Sequence, residues 1–249
     1  MQIRPVSSTP YNFQPSFRSN SRIVTNKDWN IVYRNTTNFF RPDLNWKELG
    51  KFIIEKYNNS GKVNIICYAC SDGSEPMSFA MLLNENLGEK SEKFLPIYAK
   101  DIDDTIIYMA NSEYVNMDYS DFEEINKFTN GNFGKYFKKP MGGIGIEYNY
   151  PVRINPELKK MINFSVADIT EDVNNIPSQN TIVFCRNFWP YIKSGSDREK
   201  LINNLALKLK NNCTIVTGRY DDTVNLHQLL KEKGFKTIKG LPNVYESKQ

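Results

Sequence analysis

The sequence predicts an α/β fold with a Rossmann-like, mainly parallel sheet that ends in an antiparallel strand pair. From residue 46 onwards, short apolar runs typical of strands alternate with segments whose apolar residues recur at helical spacing. Such alternation favours a parallel sheet covered by helices. The last two apolar runs, 235–238 and 244–246, flank Gly240-Leu241-Pro242. Because a tight turn joins antiparallel neighbours, the sheet should end in an antiparallel pair.

The first predicted helix spans residues 46–57. Trp46, Leu49 and Ile53 recur at helical spacing, and the polar run 58–61 that follows ends in a glycine, a combination that indicates a helix and its end. The parallel strands are predicted from apolar runs at 63–68, 95–99, 162–166, 181–185 and 214–217. The helices between them are expected at 76–86, 104–110 and 197–209.

The remaining segments are less regular. Thr223 is a suitable cap for a last helix that should stop at Gly234. Within 112–160, the stretches 136–138 and 146–154 flank a Pro- and Gly-rich run, which predicts a β-hairpin. We therefore expect residues 1–28, rich in Ser, Pro, Asn and Arg, to form an N-terminal arm. A single domain should follow over 29–249, with a small β-hairpin insertion at 131–158.

Composition excludes several functional classes. The 32 basic and 28 acidic residues give a net charge of +4 without a dense basic block, so nucleic-acid binding is not predicted. No apolar run approaches the ~20 residues that a membrane span needs, and no signal peptide is predicted. Four cysteines fall in or beside predicted strands, which suits a reducing cytoplasm. Cys67 and Cys70 form C-x-x-C, but no second pair follows at zinc spacing, so no metal is expected.

The stretch 67–82, CYACSDGSEPMSFAML, carries the strongest functional signal. A strand enters a turn of small residues, where Gly73 should leave room for a ligand, and Pro76 suits the first turn of the next helix. No P-loop lysine pattern is present, and the acid Glu75 stands where a phosphate would otherwise lie. A cationic ligand without phosphates fits this corner. S-adenosylmethionine (SAM), with an ammonium and a sulfonium group, is such a ligand.

Polar side chains also follow the neighbouring strands, at the edge where ligands bind in such sheets. Asp101 can accept both hydroxyls of a ribose. Asp168 followed by Ile169 can bind an adenine amino group and cover the ring, and Arg186-Asn187 follows the next strand. Each residue alone could be a solvated loop residue or a helix cap. Their presence at four strand ends together favours a ligand site.

Five sequence blocks resemble the chemotaxis-receptor glutamate O-methyltransferases of the CheR type, a family of class I methyltransferases. The blocks follow the family's order between residues 37 and about 220. They are TNFFRP (37–42), CSDGSEPMSFAMLL (70–83), AKDIDDTIIYMANSEY (99–114), FSVADI (164–169) and VFCRNFWPYI (183–192). The resemblance implies a class I methyltransferase fold, SAM as cofactor and S-adenosylhomocysteine (SAH) as product.

The resemblance also implies roles for single residues. Thr37 and Arg41 would face the methionine end of SAM, and Glu75 would hold its amino group. Arg41 and Tyr191 would lie nearest the transferred methyl group, as the catalytic pair. The cofactor-binding residues implied in this way are Thr37, Arg41, Ala69, Cys70, Glu75, Asp101, Ile102, Asp168, Ile169, Arg186 and Asn187. The acceptor would be a glutamate side chain of a protein, such as the cytoplasmic region of a chemoreceptor.

Two alternatives remain open. Asn187-Phe188-Trp189-Pro190-Tyr191 is similar to the N-P-P-Y box of amino methyltransferases, although its Tyr comes one position later and its first Pro is missing. The acceptor could then be an amine or a small molecule. The chain also has Gly218-Arg219-Tyr220-Asp221 where the family tends to have G-H-S-E, which would suit a SAM-binding module without activity. His227, the one histidine, is expected to pack in a helix and not to act as a base.

Overall fold

A seven-stranded sheet forms the centre of the structure, a computed structural model that describes residues 22–25, 31–35, 37–138 and 150–247. The strands of these residues are β1 (Arg22–Thr25), β2 (Ile31–Asn35), β3 (Asn64–Tyr68), β4 (Ile97–Asp101), β5 (Tyr114–Met117), β6 (Phe137–Lys138), β7 (Tyr150–Ile154), β8 (Ile162–Val166), β9 (Gln179–Cys185), β10 (Asn211–Val216), β11 (Phe235–Ile238) and β12 (Leu241–Ser247). The α-helices are α1 (Trp46–Lys56), α2 (Ser74–Leu87), α3 (Asp104–Ala110), α4 (Tyr119–Phe128), α5 (Phe133–Tyr136), α6 (Pro156–Lys160), α7 (Ile169–Asp172), α8 (Gly195–Lys208) and α9 (Leu226–Glu232).

The central sheet has the strand order β11-β12-β10-β9-β3-β4-β8. The five strands from β10 to β8 run parallel, and β12 pairs antiparallel with both β10 and β11. This topology confirms the predicted fold class. The chain passes from β3 to β4 on one side and later returns to β9 on the other, so the strand order reverses beside β3. In open α/β sheets ligands bind at such a reversal, beyond the carboxyl ends of the strands.

Alternation along the strands divides the core between the two faces of the sheet. On β3, Ile65 and Cys67 pack in one apolar cluster with residues of α1 and α2, whereas Ile66 and Tyr68 pack in the other cluster with residues of α8 and α9. Successive side chains of a strand point to opposite faces, so a strand buried on both sides reads as the continuous apolar run seen in the sequence. The result is a three-layer arrangement, with the sheet between two layers of helices.

Several element boundaries differ from the sequence prediction by a few residues, and two of these differences have a clear physical cause. β4 begins at Ile97 and not at residue 95, because Pro96 has no N–H to donate to a neighbouring strand. Thr223 does not cap the last helix, so that prediction is wrong. Its hydroxyl donates to the Tyr220 carbonyl inside a 3-10 turn, and α9 begins only after Asn225.

The irregular segment contains a second sheet, in the order β5-β7-β6. The antiparallel pairing of β6 with β7 corresponds to part of the predicted hairpin, while residues 139–149 lie outside the described residues. Neither β5 nor α4 was predicted, and α4 begins with a capping box between Asp118 and Asp121. Of the predicted arm, only 22–25 is described, and it pairs with β2; residues 1–21 and 26–28 are outside. The domain bounds therefore stay a prediction.

Candidate functional site

The turn after β3 brings backbone and side chains together at the reversal of strand order. Ala69 and Ser71 adopt left-handed backbone angles, with φ of 53° and 52°. The Ser71 N–H donates to Asp101 Oδ2 at the end of β4, over 2.8 Å. Since non-glycine residues rarely adopt positive φ, this turn is tightly constrained. The constraint sets the direction in which α2 leaves the sheet and the position of Glu75 in its first turn.

Gly73 serves packing and does not line the site. Its φ is +91°, and a Cβ atom built on it would lie 2.6 Å from Cζ of Phe164. The space that the missing side chain leaves is therefore taken by the Phe164 ring. The sequence-based expectation that this glycine makes room for a ligand is corrected, because the contact depends on a residue 91 positions further along the chain.

A buried network of charges connects three segments at the site. The Arg186 guanidinium donates through Nη1 to Glu75 Oε2 and through Nη2 to Asp43 Oδ1 at 2.6 Å. Arg41 Nε lies 3.7 Å from the same Asp43 oxygen, and the Arg186 side chain is only 1% exposed. Burial alone would lower the pKa of Arg186, but the charges of Glu75 and Asp43 raise it. Removing one partner from such a network leaves an uncompensated buried charge.

Part of this network still has hydrogen-bonding capacity. Arg186 Nε and Asp43 Oδ2 are buried without a partner among the described residues. Glu75 accepts the hydrogen bond from Arg186 through Oε2. Among the described residues its other oxygen, Oε1, is open to a further donor. Buried polar atoms without partners are rare in folded proteins. The network is thus suited to a ligand that brings both an acidic and a basic group.

The segment that carries Thr37 and Arg41 is fixed from the protein interior. The Phe39 N–H donates to Asp121 Oδ1 at 2.9 Å. The Phe40 N–H donates to Ser78 Oγ, also at 2.9 Å. Phe40 has a φ of 47°, and its ring stacks on Phe128 with centroids 4.4 Å apart. Burial raises the pKa of the Asp121 carboxyl to about 7. These contacts from α2 and α4 place the two polar side chains at the edge of the sheet.

Asp101 is the last residue of β4, and Asp168 follows the end of β8. Besides the Ser71 N–H, Asp101 accepts the Asp103 N–H at 3.1 Å, and burial raises its pKa. Asp168 Oδ1 accepts from the Thr170 N–H and hydroxyl, both at 2.8 Å. A carboxylate oxygen has two lone pairs, so both side chains keep capacity for ligand hydroxyl or amino groups. Ile102 is 55% exposed at the same edge.

The turn after β9 is hydrogen-bonded to the turn after β10. Asn187 has a φ of 62°, and its N–H donates to Asp221 Oδ2 at 2.8 Å. Asp221 is buried, and burial raises its pKa to about 6. Tyr191 stands on a 3-10 turn, Trp189–Tyr191, and is 38% exposed.

A cavity of about 300 Å³ opens at this edge of the sheet and collects nearly all the predicted site residues. Its lining includes Thr37, Arg41, Ala69, Glu75, Asp101, Ile102, Asp168, Ile169, Arg186, Asn187 and Tyr191. Cys70 is not in the lining: its side chain is buried in the core, and burial raises the pKa of its thiol well above the usual value. Tyr68, Ser71 and Phe188 line the cavity although the sequence did not single them out.

Two acids that support the site from outside the cavity lining were also missed. Asp43 follows Arg41 by two positions, and this proximity was the available signal. Asp221 stands where the family pattern G-H-S-E has its acid, a sequence feature that marked the position but not its partners.

The described part of the chain contains no group of three or more metal-ligating side chains, and none of its helices is both long and apolar enough to cross a bilayer. His227 lies away from the cavity, with Nδ1 hydrogen-bonded to the Tyr245 hydroxyl.

Comparison with known proteins agrees with this geometry. A model of the family "CheR methyltransferase, SAM binding domain" matches residues 35–238. A chemotaxis protein methyltransferase of Salmonella typhimurium is 24% identical over 197 residues, which cover 79% of this chain and 64% of that protein. The protein of the same name from Escherichia coli is 25% identical over 205 residues, 82% of this chain and 67% of that protein. For that of Borreliella burgdorferi the values are 28% over 189 residues, 71% and 59%.

The chain therefore spans about two thirds of the length of the curated relatives it matches. The family match, in contrast, extends over most of this chain and contains the whole cavity lining. It confirms the resemblance predicted from the five sequence blocks and the cofactor predicted from the strand-end acids. The chain belongs to the CheR methyltransferase family, as a SAM-binding domain whose cofactor is S-adenosylmethionine.

Proposed function

We propose that this chain transfers the methyl group of SAM to an ionised carboxylate, that of a glutamate side chain in a protein. One observation carries the proposal. Arg41 and Tyr191 both line the cavity, whereas His227, the one histidine of the chain, is engaged with Tyr245 elsewhere. A site that offers a guanidinium and a hydroxyl but no imidazole suits an acceptor that is already a nucleophile. Glutamate, with an ordinary pKa of about 4.3, is ionised at neutral pH.

The side chains around the cavity fit the parts of the cofactor. The open Glu75 Oε1 would accept from the amino group, and the buried Arg186 Nε would donate to the carboxylate. Asp101 would accept from the ribose hydroxyls, and Asp168 with Ile169 would bind the adenine. Bound there, SAM supplies an electrophilic methyl group on a positively charged sulfur.

The protein contributes position and a dry environment, because a displacement at carbon needs both groups in line. Arg41 would hold the acceptor carboxylate through its planar fork, and Tyr191 would donate a hydrogen bond to it from the rim. Neither residue has to remove a proton. The pairing of Arg41 with Asp43 keeps the guanidinium at the site before the acceptor arrives.

The names of the relatives support a receptor as the partner. They are chemotaxis protein methyltransferases, and we propose that this chain acts on the cytoplasmic region of a chemoreceptor. Four free, buried cysteines are in keeping with a cytoplasmic location. We also propose that residues 29–249 form one domain, with 131–158 as a small β insertion.

The test combines cofactor binding with the chemistry of the product. Calorimetry should show that SAM and SAH bind. Transfer of tritiated methyl from SAM to a receptor cytoplasmic fragment, followed by mild base, should release labelled methanol, because carboxyl methyl esters hydrolyse and N-methyl groups do not. Label that resists base would assign an amine acceptor. Binding without any transfer would leave a SAM-binding module.

A pair of tyrosine variants tests the placement of the acceptor. Tyr191→Phe should keep SAH affinity and lose much of the transfer rate. Tyr108→Phe is the matched control, since Tyr108 is 81% exposed and lies outside the cavity lining. Equal transfer rates in the two variants would remove Tyr191 from the acceptor site.

A further inference from the structure

We propose that residues 218–221, the turn after β10, are a positioning device for the cofactor corner after β9. In this device, which we call the β10 turn, Asp221 and Gly218 hold Asn187 and with it the segment 186–191. The inference rests on the proposed function only for its catalytic readout. Its main readout is SAH binding.

The carboxylate of Asp221 links the two turns. It is 1% exposed, and its Oδ2 accepts the N–H of Asn187 at 2.8 Å and that of Gly218 at 2.7 Å. Hydrogen bonds to an ionised acceptor are stronger than those between neutral groups. Since Asp221 is not part of the cavity lining, its hydrogen bonds affect the cavity through the residues that it holds.

Asn187 needs such support because of its backbone. Its φ of 62° lies in the left-handed region, which a residue with a side chain enters only at a cost in energy. Asn tolerates this region better than most residues, but a fixed hydrogen bond to its N–H selects the conformation. The neighbours on both sides, Arg186 and Phe188, line the cavity, so the backbone of Asn187 sets the direction of both.

Gly218 holds the side chain of the same residue. A Cβ atom on Gly218 would lie 2.0 Å from Asn187 Oδ1 and 2.4 Å from its Cγ. The φ of Gly218 is −99°, a value that any residue can adopt. The glycine is therefore required only for space, and the space is filled by the amide of Asn187. Both the backbone N–H and the side-chain amide of Asn187 therefore contact the β10 turn.

The segment held in this way contributes four residues to the cavity lining. Arg186 begins it and Tyr191 ends it, and both line the cavity. The short turn between them is closed by the Tyr191 N–H, which donates to the Phe188 carbonyl at 2.9 Å. A displacement of Asn187 would therefore move both the Arg186 guanidinium and the Tyr191 hydroxyl.

The test is a double-mutant cycle with SAH affinity as readout. Gly218→Ala should weaken SAH binding at least about tenfold, since a tenfold change corresponds to the loss of about one hydrogen bond to a charged group such as Arg186. Asn187→Gly keeps the left-handed backbone and removes the amide. In that background Gly218→Ala should have a much smaller effect, because the three atoms nearest to the added methyl group all belong to the Asn187 amide. Gly61→Ala is the control, since a Cβ on Gly61 has no atom within 4 Å, and it should bind SAH like the wild type.

Asp221→Asn provides an independent measurement. It should raise the KM for SAM and lower kcat, because both Arg186 and Tyr191 shift. A merely structural carboxylate would lower the urea midpoint and leave the SAH dissociation constant of the folded protein unchanged, which would overturn the proposal. So would a Gly218→Ala variant that binds SAH within twofold of the wild type, or one that loses as much affinity in the Asn187→Gly background.

The two proposals fail separately. If the wild type binds SAH but transfers no methyl group to any carboxylate, the proposed function is wrong and the binding cycle still decides the role of the β10 turn. If the wild type does not bind SAH, the positioning proposal is overturned as well.

Discussion

Replacing Gly73 by alanine should destabilise the protein through two effects that the structure separates. The first is backbone strain, because Gly73 has a φ of +91° and the left-handed region costs an L-residue about 1–2 kcal/mol. The second is overpacking. The new methyl carbon would lie 2.6 Å from Cζ and 2.8 Å from Cε1 of the Phe164 ring, and forced repacking of this kind costs about 1–3 kcal/mol.

The expected total is therefore about 2–5 kcal/mol of unfolding free energy for Gly73→Ala. Gly131→Ala is the matched control, because Gly131 has a φ of +81° and no atom within 4 Å of a built Cβ. It should lose only the backbone part, about 1–2 kcal/mol. Urea denaturation followed by far-UV circular dichroism measures both variants against the wild type.

A third variant isolates the steric part. In a Phe164→Ala background the ring is gone, so Gly73→Ala should cost no more than Gly131→Ala does alone. The reasoning is refuted if Gly73→Ala and Gly131→Ala destabilise equally in the wild-type background. It is also refuted if the cost of Gly73→Ala persists undiminished without the Phe164 ring, since the clash would then not be its cause.

Three further substitutions test the site and its supports by urea denaturation. Arg186→Met leaves the buried carboxylate of Glu75 without its cation and the partly buried Asp43 with Arg41 alone, and it should cost about 3–5 kcal/mol; a loss below ~1 kcal/mol contradicts the network. Burial raises the pKa of Asp121 from 3.8 to about 7, so the folded chain binds this proton more tightly than the unfolded chain, and the contribution of Asp121 to stability falls as the pH rises through this window. Asp121→Asn should thus gain on the wild type by up to about 4 kcal/mol between pH 4 and pH 8, and a constant difference would be inconsistent. Tyr57→Phe removes a buried hydroxyl 3.0 Å from Thr214 Oγ1 and should cost about 1 kcal/mol; an unchanged midpoint would show that the bond contributes nothing.

The strand ends could be predicted because their information is local. An apolar run followed by Asp101 or by Asp168 gives both the strand and the side chain at its end, and parallel topology then brings the ends together. The supports of the site could not be predicted in this way. Asp121 reaches Phe39 across 82 positions, and the Asp221 carboxylate reaches Asn187 across 34. Such contacts depend on how loops meet, and no periodicity in the sequence encodes that meeting.

The same distinction explains the elements that were missed. Strand β5 has four residues, too few to show an alternation, and helix α4 begins at a capping box built from two aspartates in place of the usual Ser or Thr with Glu. The hydrogen bond that the Phe39 N–H donates to the Asp121 carboxylate gives this helix a second role. Its first turn positions the segment that carries Arg41, so an element that looked irregular in the sequence is part of the site.

The buried network is better explained by ligand binding than by stability. Replacing a buried ion pair by well-packed apolar residues is often neutral or stabilising, so a fold selected for stability alone would have little reason to keep Glu75, Arg186 and Asp43 together. Their arrangement leaves Arg186 Nε and Asp43 Oδ2 buried without partners in the described structure, which adds to the cost. Polar groups fixed in advance at the place where a charged ligand binds need no reorganisation when it arrives. Under the proposed binding mode, the amino and carboxylate groups of SAM would supply the partners that Glu75 and Arg186 lack, and binding would offset the energy that the network costs the empty fold.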